Sequence, residues 1–283
     1  MTSVRKELAE HGLVPRKSRG QHFLADRNIL NKVVRTAQVE QEDTVLEIGP
    51  GLGDLTLLLA SRAKKVVAVE IDPKLAALLK SKMVDWPNVD VVEDDILKVD
   101  FEEILDPAVP PVKVVANLPY QISTPLLFRF IDARPLFSTL TLMLQREVAE
   151  RMVASPGGKQ YGPLSVFVQL FSDISIRFYV KPASFFPPPK VDSAVVHMVW
   201  KEYPLVKPVD EEWFKKVVRG CLGYRRKTLM NALKHADLSP LLEIEQIGEM
   251  AGIDLGRRPG TLTIEEFARL AEALERPVQK IQG

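Results

Sequence analysis

The alternation of short β-branched segments with longer helical patterns between residues 44 and 200 constrains the fold of this chain more than any other feature. The segment TVLEIG (44–49) is followed by the helical pattern DLTLLLASRA, and KVVAVE (65–70) is followed by DPKLAALLKSKM. Parallel strands that are joined by crossover helices produce this alternation. We therefore predict an α/β fold with a mostly parallel central sheet.

Three further strands are predicted at 89–94, 112–117 and 140–145. Two apolar segments, 168–180 and 193–200, have no convincing helical pattern between them, and we predict an antiparallel pair at the edge of the sheet. The connection between them, KPASFFPPPKVD (181–192), contains too many prolines for regular structure. We predict that it is a loop.

The strand patterns stop near residue 205, where the composition shifts. Four helices are predicted beyond that point, at 211–222, 225–236, 243–251 and 263–275. We therefore predict a larger α/β domain over 1–204, which includes a basic N-terminal segment over 1–27. A small all-α domain is predicted over 205–283.

The composition is that of a soluble globular protein, because 46% of the 283 residues are hydrophobic and 27% are charged. The apolar runs are of strand length and the N-terminus lacks the apolar core of a secretion signal, so we expect a cytoplasmic protein. Cys221 is the only cysteine and is predicted to be a core residue on a helix. The four histidines are scattered, and no metal site is predicted.

Positive charge is concentrated locally, although the net charge is only +1. The basic clusters are RKSRG (16–20), YRRKTLMNALKH (224–235) and GRR (256–258). Such clusters are most often solvated surface when they occur singly. The nearly neutral net charge argues against a uniformly basic nucleic-acid coat.

The segment EIGPGLGDLT (47–56) follows a predicted strand and opens a predicted helix. Glycines in that position let the backbone approach a ligand at a helix N-terminus. Gly49, Gly51 and Gly53 give the spacing G-x-G-x-G, and Asp54 occupies the position where a dinucleotide motif would have its third glycine. This pattern favours a nucleoside ligand over a pyrophosphate.

Acidic residues follow the next two strands. Glu70 ends the second strand, where a carboxylate can accept hydrogen bonds from both ribose hydroxyls. Asp95 lies just beyond the third strand, where it can accept a hydrogen bond from the exocyclic amine of adenine. We expect the next residue, Ile96, to bind the cofactor as well. Together with the glycine loop, these strand ends resemble those of class I S-adenosylmethionine-dependent methyltransferases, with a Rossmann-like fold.

The fourth strand ends in NLPY (117–120), which resembles the signature of amino-methyltransferases that act on the exocyclic nitrogen of adenine or cytosine. The resemblance implies that Asn117 and the carbonyl of Leu118 accept the two N6 hydrogens, so that the delocalised lone pair turns toward the methyl group. Pro119 fixes the backbone and removes a competing donor. Tyr120 offers a ring on which the extruded base can stack.

Five segments occur in the order RKSRGQHFLAD, LEIGPGLGDLT, NLPYQISTPLL, FFPPPKVDSAVV and RRKTLMNAL. They resemble the ribosomal RNA adenine N6,N6-dimethyltransferases, which modify two adjacent adenines near the 3′ end of small-subunit ribosomal RNA. The resemblance covers nearly the whole chain. It implies S-adenosylmethionine as methyl donor, the small ribosomal subunit as partner, and a monomer that uses neither a metal nor a membrane.

The resemblance implies roles for further residues in the site. His22 and Leu24 would contact the cofactor as a lid over its methionine end, together with Asn117; His22 stands where the family usually has asparagine. Phe185 would sandwich the target base against Tyr120, with Phe186 as the alternative.

The basic clusters acquire a role from the same resemblance, because their side chains suit the RNA backbone. We expect this role for Arg225, Arg226 and Lys227, at the start of a predicted helix, and on the other flank for Arg16, Lys17 and Arg19. Such contacts give salt-dependent affinity without sequence information. The region 1–204 is then the methyltransferase domain and 205–283 the RNA-binding domain.

Two alternative functions remain open from the sequence. One is a methyltransferase of the macrolide-resistance type, which acts on large-subunit ribosomal RNA and shares most of these motifs. The other is a non-catalytic RNA-binding or ribosome-assembly factor that retains the fold. A DNA adenine methyltransferase is less favoured, because it more often carries D-P-P-Y and a separate recognition region.

Overall fold

A computed structural model describes most of the chain, in the ranges 3–16, 20–106, 111–208, 210–236, 238 and 243–275. The chain forms two compact units. The first consists of residues 1–149 and 173–200, and the second of residues 150–172 and 201–283. Among the described residues, no helix has the length and apolar character that are needed to span a membrane.

The first unit is built around a seven-stranded sheet. Its strands, in chain order, are β2 (Thr44–Ile48), β3 (Lys65–Glu70), β4 (Val89–Glu93), β5 (Val112–Asn117), β6 (Phe137–Gln145), β7 (Ser172–Val180) and β9 (Ser193–Trp200). Their order across the sheet is β4-β3-β2-β5-β6-β9-β7. The strands from β4 to β6 are parallel, and β9 is antiparallel to β6. The predicted parallel sheet with an antiparallel strand toward one edge is therefore confirmed.

The central strands are nearly continuous apolar runs because both of their faces are covered. All five residues of β2 are buried. The register pairs Ile48 with Val69 on one side and with Ala116 on the other. The carboxyl ends of β2, β3 and β5 are therefore level with one another, and the residues that follow them lie at one edge of the sheet.

The helices of this region begin at residues that the sequence marks clearly. They are α1 (Ser3–Glu10), α2 (Arg27–Ala37), α3 (Asp54–Ala60), α4 (Pro73–Lys82), α5 (Phe101–Ile104), α6 (Ser123–Asp132) and α7 (Arg146–Met152). Asp26 caps α2 by accepting the backbone N–H of Asn28 at 2.9 Å. Asp72 caps α4 by accepting the backbone N–H of Lys74, and Pro73 lies in the first turn.

A second, two-stranded sheet joins distant parts of the chain. Strand β1 (Phe23–Leu24) is antiparallel to β8 (Phe185–Phe186), with Phe23 opposite Phe186 and Leu24 opposite Phe185. The prediction that 181–192 is wholly a loop is therefore wrong at β8. The pairing depends on a partner far away in the sequence, which a local pattern of prolines does not reveal.

The prediction of one strand over 168–180 is wrong in its first part. Residues Pro163–Phe171 form helix α8, and β7 begins only at Ser172. Pro163 suits the first helical position, and the Ser165 hydroxyl accepts the N–H of Gly162 at 3.1 Å. Since α8 is buried on nearly all sides, its run of apolar residues has no helical periodicity that would separate it from a strand.

The second unit contains α8 and the helices α9 (Glu211–Gly223), α10 (Leu229–His235), α11 (Ile244–Ala251) and α12 (Ile264–Glu275). All four predicted C-terminal helices are present, and Cys221 is fully buried on α9, as predicted. Helix α10 starts later than predicted, at Leu229, because Thr228 is its N-cap and accepts the N–H of Asn231. Residues 225–227 therefore precede this helix.

The two compact units are not separated by a single boundary at residue 205, where the sequence predicts one. The segment 150–172 belongs to the C-terminal unit, where the ring of Phe167 on α8 lies 6.3 Å from that of Phe214 on α9. The physical reason is that α8 buries its apolar side chains against the helices that follow the sheet in the sequence.

Candidate active site

A cavity of about 270 Å³ lies in the first unit at the carboxyl ends of β2, β3, β4 and β5. Open α/β sheets bind ligands at this edge. The lining includes Gly49, Glu70, Asp95 and Asn117, one from the end of each of the four strands. The structure thus brings together the residues that the sequence assigned to one site.

The glycine loop has a backbone that only small residues fit. Gly51 has a φ of 58°, and a Cβ atom there would lie 3.0 Å from the ring of Phe23. Gly53 has a φ of 87°, and a Cβ atom would lie 2.6 Å from the Leu79 side chain. Positive φ and close contact together make any side chain at either position strained. The loop therefore turns tightly beneath the N-terminal segment and leaves its backbone facing the cavity.

Glu70 is held by the backbone on both of its oxygens. Oε2 accepts the N–H of Gly51 at 3.2 Å, and Oε1 accepts the N–H of Asp72 at 2.9 Å. The side chain is buried and lines the cavity. Glu70 thus joins the glycine loop to the start of α4 and presents oriented acceptors.

Asp95 and Ile96 form the wall after β4. Asp95 Oδ1 accepts the N–H of Leu97 at 3.0 Å, which fixes the half-buried carboxylate. Ile96 is buried and supplies an apolar surface beside it. A flat, partly polar ring would find a hydrogen-bond acceptor and an apolar contact side by side here.

Asn117, at the end of β5, is anchored through its nitrogen. Nδ2 donates to the backbone carbonyl of His22 at 3.1 Å, so Oδ1 is the atom that can accept from a ligand. The N–H of Leu118 donates to the Met143 carbonyl at 2.9 Å, which fixes the backbone of the next residue. Pro119 lies against the glycine loop, 3.7 Å from where a Cβ of Gly49 would be.

Tyr120 is fixed by its hydroxyl and by a neighbouring ring. The hydroxyl shares a 2.7 Å hydrogen bond with Ser193 Oγ, at the start of β9. Burial raises the pKa of Tyr120, and this hydrogen bond opposes part of the rise. The His22 ring lies 5.5 Å from the Tyr120 ring, and its Nδ1 is 2.7 Å from the carbonyl of Pro187. His22 therefore connects the N-terminal segment, the NLPY segment and the proline loop.

Leu24 and Phe185 differ in how they relate to the cavity. Leu24 is buried and lines it. Phe185 is 4% exposed, packs in the core with Leu24 and Leu30, and is absent from the described lining. The structure therefore places Phe185 in the core and outside the described lining of the cavity, and its role beside the target base stays a prediction. Phe186, the alternative, is partly buried in another cluster with Leu52.

Three acidic residues of the cavity, Glu47, Asp54 and Asp94, received no role from the sequence. Glu47 lies inside β2 and is fully buried, whereas Asp54 opens α3 and is exposed. Loss of contact with water raises the pKa of both of these carboxyl groups, to about 8 for Glu47. A carboxylate within an otherwise apolar strand was the signal that could have identified Glu47.

The charged side chains of the described cavity lining are predominantly acidic. Five carboxyl groups line the cavity, and none of the described lining residues is a lysine or an arginine. The five are Glu47, Asp54, Glu70, Asp94 and Asp95. Such a lining disfavours phosphate groups and favours a ligand that carries positive charge, amines and hydroxyls.

The basic residues of the N-terminal segment are only partly described. Arg16 is exposed, and its Nε lies 3.4 Å from Asp72 Oδ2. Lys17 and Arg19 lie outside the described residues. A phosphate that bound Arg16 would therefore compete with the cap of α4.

In the second unit, Arg225, Arg226 and Lys227 are all exposed in the turn before α10. Arg225 donates to the carbonyl of Lys159 at 2.8 Å, and Lys227 Nζ lies 5.7 Å from the centre of the Tyr224 ring. The cluster is therefore a basic turn, and the prediction that it starts a helix is wrong. The reason is that Thr228 caps α10 downstream of it.

A parallel sheet with this strand order, a glycine loop after β2 and acids after β3 and β4 defines a Rossmann-like class I methyltransferase. Its site adds an Asn-Leu-Pro-Tyr segment after β5. The chain belongs to the ribosomal RNA adenine dimethylase family, whose family model matches residues 13–275.

Curated relatives and solved structures agree with this assignment. The chain is 47% identical over 267 residues to a ribosomal RNA small subunit methyltransferase A of Geobacter metallireducens, covering 93% of this chain and 96% of the relative. A protein of the same name from Shouchella clausii is 42% identical over 278 residues, covering 96% and 94%.

Two solved structures have related sequences and the same fold. A dimethyladenosine transferase from Plasmodium falciparum has a TM-score of 0.76 and 32% identity, covering 88% of this chain and 96% of that one. The 23S rRNA methyltransferase ErmE has a TM-score of 0.68 and 29% identity, covering 90% and 100%.

Proposed function

We propose that this protein transfers methyl groups from S-adenosylmethionine to N6 of two adjacent adenines near the 3′ end of small-subunit ribosomal RNA, giving N6,N6-dimethyladenosine. The observation that carries the proposal is Asn117, which lines the cavity with Nδ2 already bonded and Oδ1 left to accept. Relatives named for the small subunit are 42–47% identical to the chain, whereas the 23S rRNA enzyme is 29% identical.

The lining residues fit the proposed methyl donor. When bound, S-adenosylmethionine supplies a methyl group that its sulfonium charge has already activated. The carboxyl-rich lining accommodates that cation. Glu70 accepts hydrogen bonds from the ribose hydroxyls, and Asp95 accepts one from the adenine amine beside the apolar surface of Ile96. His22 and Leu24 cover the methionine end from the N-terminal segment.

The NLPY segment holds the amine that becomes methylated. Asn117 Oδ1 and the carbonyl of Leu118 accept the two N6 hydrogens and draw the nitrogen toward tetrahedral geometry. The amide cannot turn away, because Nδ2 is bonded to His22. No strong base is required before attack, so the contribution of these residues is positioning, which supplies about 7–11 kcal/mol in favourable cases.

Tyr120 provides the surface for the extruded base. Its ring is fixed through the hydrogen bond of the hydroxyl to Ser193, and the partly buried side chain lines the cavity. Stacking of one base on an aromatic ring contributes on the order of 1–3 kcal/mol. This offsets part of the cost of removing the adenine from its stack in the RNA.

We propose that the basic residues bind the RNA backbone. In the first unit this role belongs to the segment 16–19, and in the second to the turn 225–227. The exposed side chains of Arg16, Arg225, Arg226 and Lys227 support this role, as do the balanced charges elsewhere in the chain. Affinity from such contacts depends on salt and carries no sequence information. The first unit is then the methyltransferase domain, and the second an RNA-binding domain.

The reaction and its substrate also bear on metal use, cellular location and oligomeric state. Because the methyl group is activated by its own charge, the reaction has no need of a metal. A ribosomal substrate implies a cytoplasmic location and no membrane partner. We further propose that the enzyme acts as a monomer, which size-exclusion chromatography with light scattering would test at working concentrations.

The proposal is tested by incubating the protein and S-adenosylmethionine with unmethylated small subunits, mature small subunits and large subunits. Nuclease digestion and mass spectrometry then quantify N6-methyladenosine and N6,N6-dimethyladenosine. We expect dimethyladenosine on the unmethylated small subunit alone. Product on the large subunit would instead indicate a resistance-type enzyme, and absence of product with cofactor bound would indicate an assembly factor.

The matched control is Asn117→Ala, which removes the side-chain acceptor. We expect it to lower the single-turnover rate at least about 100-fold, with the dissociation constant of S-adenosylmethionine nearly unchanged. Retained activity would contradict the acceptor role of Asn117 without affecting the assignment of the substrate.

A further inference from the structure

Glu47 is a buried acid at the cavity that none of the steps above uses. It lies in β2, one residue before the strand ends, and its side chain is 1% exposed. Oε2 is inaccessible to solvent and has no hydrogen-bond partner among the described residues, yet the residue lines the cavity. An unpaired buried carboxylate is costly unless it is neutral or meets a positive charge.

No lysine or arginine is among the described residues that line the cavity with Glu47. Glu70 faces it from β3, with both oxygens already held by backbone N–H groups, and the Thr56 hydroxyl faces it from α3. The other ionisable groups of the lining are Asp54, Asp94, Asp95, His22 and Tyr120. Burial raises the pKa of Glu47 to about 8, Thr56 opposes part of the rise, and the negative charge of Glu70 adds to it.

We propose that Glu47 exchanges a proton in step with the charge of the bound cofactor, and so distinguishes the cationic methyl donor from its neutral thioether product. The inference rests on the proposed function, which supplies both ligands. In the empty cavity Glu47 carries a proton. Binding of the sulfonium form expels that proton to solvent, and the carboxylate then stabilises the cation.

The exchange keeps the combined charge of Glu47 and the ligand constant. S-adenosylmethionine carries a sulfonium, an ammonium and a carboxylate, whereas S-adenosylhomocysteine has lost the sulfonium charge. Ionised Glu47 with the sulfonium ligand and protonated Glu47 with the neutral thioether have the same total charge. After methyl transfer the unpaired carboxylate takes a proton back from solvent, and the product is no longer favoured by an ion pair.

Calorimetry tests the proposal in two buffers of different ionisation enthalpy at about pH 7, with each ligand in turn. The dependence of the heat on the buffer gives the number of protons released. We expect wild type to release close to one proton more than Glu47→Gln on binding S-adenosylmethionine, and the two proteins to agree for S-adenosylhomocysteine. Comparing the proteins cancels titration of the ligand itself.

The affinity should depend on pH in the same way. With a starting pKa of about 8, the affinity of wild type for S-adenosylmethionine should rise about eightfold more than that of Glu47→Gln between about pH 6.5 and about pH 7.5. Asp54→Asn is the matched control, because Asp54 is the other carboxyl group of the lining whose pKa burial raises. It should retain the proton release.

Each outcome separates the inference from the proposed function. Equal proton release by wild type and Glu47→Gln, or its loss in Asp54→Asn alone, would overturn the role of Glu47. Failure of both ligands to bind wild type would overturn the proposed cofactor as well. If Glu47→Gln does not fold, infrared difference spectra of wild type should show a protonated carboxyl band disappearing with the sulfonium ligand only; no loss of that band would refute the proposal.

Discussion

Replacing Glu70 by glutamine tests the architecture of the cofactor site most directly. The carboxylate accepts the N–H groups of Gly51 and Asp72, and we propose that it also accepts hydrogen bonds from the ribose hydroxyls. Glutamine has nearly the same shape but only one acceptor oxygen. Its NH₂ group must therefore face one of the two backbone N–H donors.

The size of the effect follows from these contacts. Hydrogen bonds to charged groups contribute about 1.5–3 kcal/mol each, and a buried donor that loses its partner costs about 1–3 kcal/mol. We expect the free protein to lose about 1–3 kcal/mol of unfolding free energy by the second effect. Loss of one charge-assisted ribose contact should weaken cofactor binding by roughly 10- to 150-fold.

The measurements are urea unfolding and titration calorimetry with S-adenosylhomocysteine. The control is Glu93→Gln, which removes the same charge from the residue opposite Glu70 on β4, where the side chain is exposed and outside the described lining of the cavity. We expect the control to match wild type in both measurements. An unchanged dissociation constant in Glu70→Gln would refute the ribose role, even if stability fell.

Two further predictions concern the residues whose positions differ from expectation. In urea unfolding, Phe185→Ala should reduce the unfolding free energy by about 3–5 kcal/mol, because the ring is in the core. A variant with the stability of wild type but without methylation activity would instead indicate that the ring stacks the base. Replacing Arg225 and Arg226 by alanine should reduce the slope of log affinity for RNA against log salt by about 1.4, at roughly 0.7 per phosphate contact. An unaltered slope in filter-binding titrations would leave this turn without a role in RNA binding.

The sequence predicted the residues around the cavity because parallel strands impose a simple rule. Each strand ends at the same edge of the sheet, so Gly49, Glu70, Asp95 and Asn117 had to come together once the alternating pattern was recognised. The helix cap at Asp72 was equally predictable, because it depends on residues that are adjacent in the chain.

Features that depend on distant residues were not predictable in this way. Phe185 is paired with Leu24 across β1 and β8, and that pairing places its ring in the core. The hydrogen bond between Tyr120 and Ser193 likewise joins segments whose local sequences do not indicate contact. The last residues of helix α8, 168–171, were assigned to a strand because burial on nearly all sides removes the periodicity on which the distinction depends.

The pairing of β1 with β8 also sets an order of events during synthesis. Phe23 and Leu24 emerge from the ribosome early, but their partners follow only when the chain has been made as far as residue 186. Contacts between such distant segments form late, because the intervening chain must first be ordered. A nascent chain therefore has the glycine loop, its acidic neighbours and the N-terminal segment well before β8 is available to pair with β1 and fix that segment. The proposed cofactor site is complete only after most of the first unit has been translated.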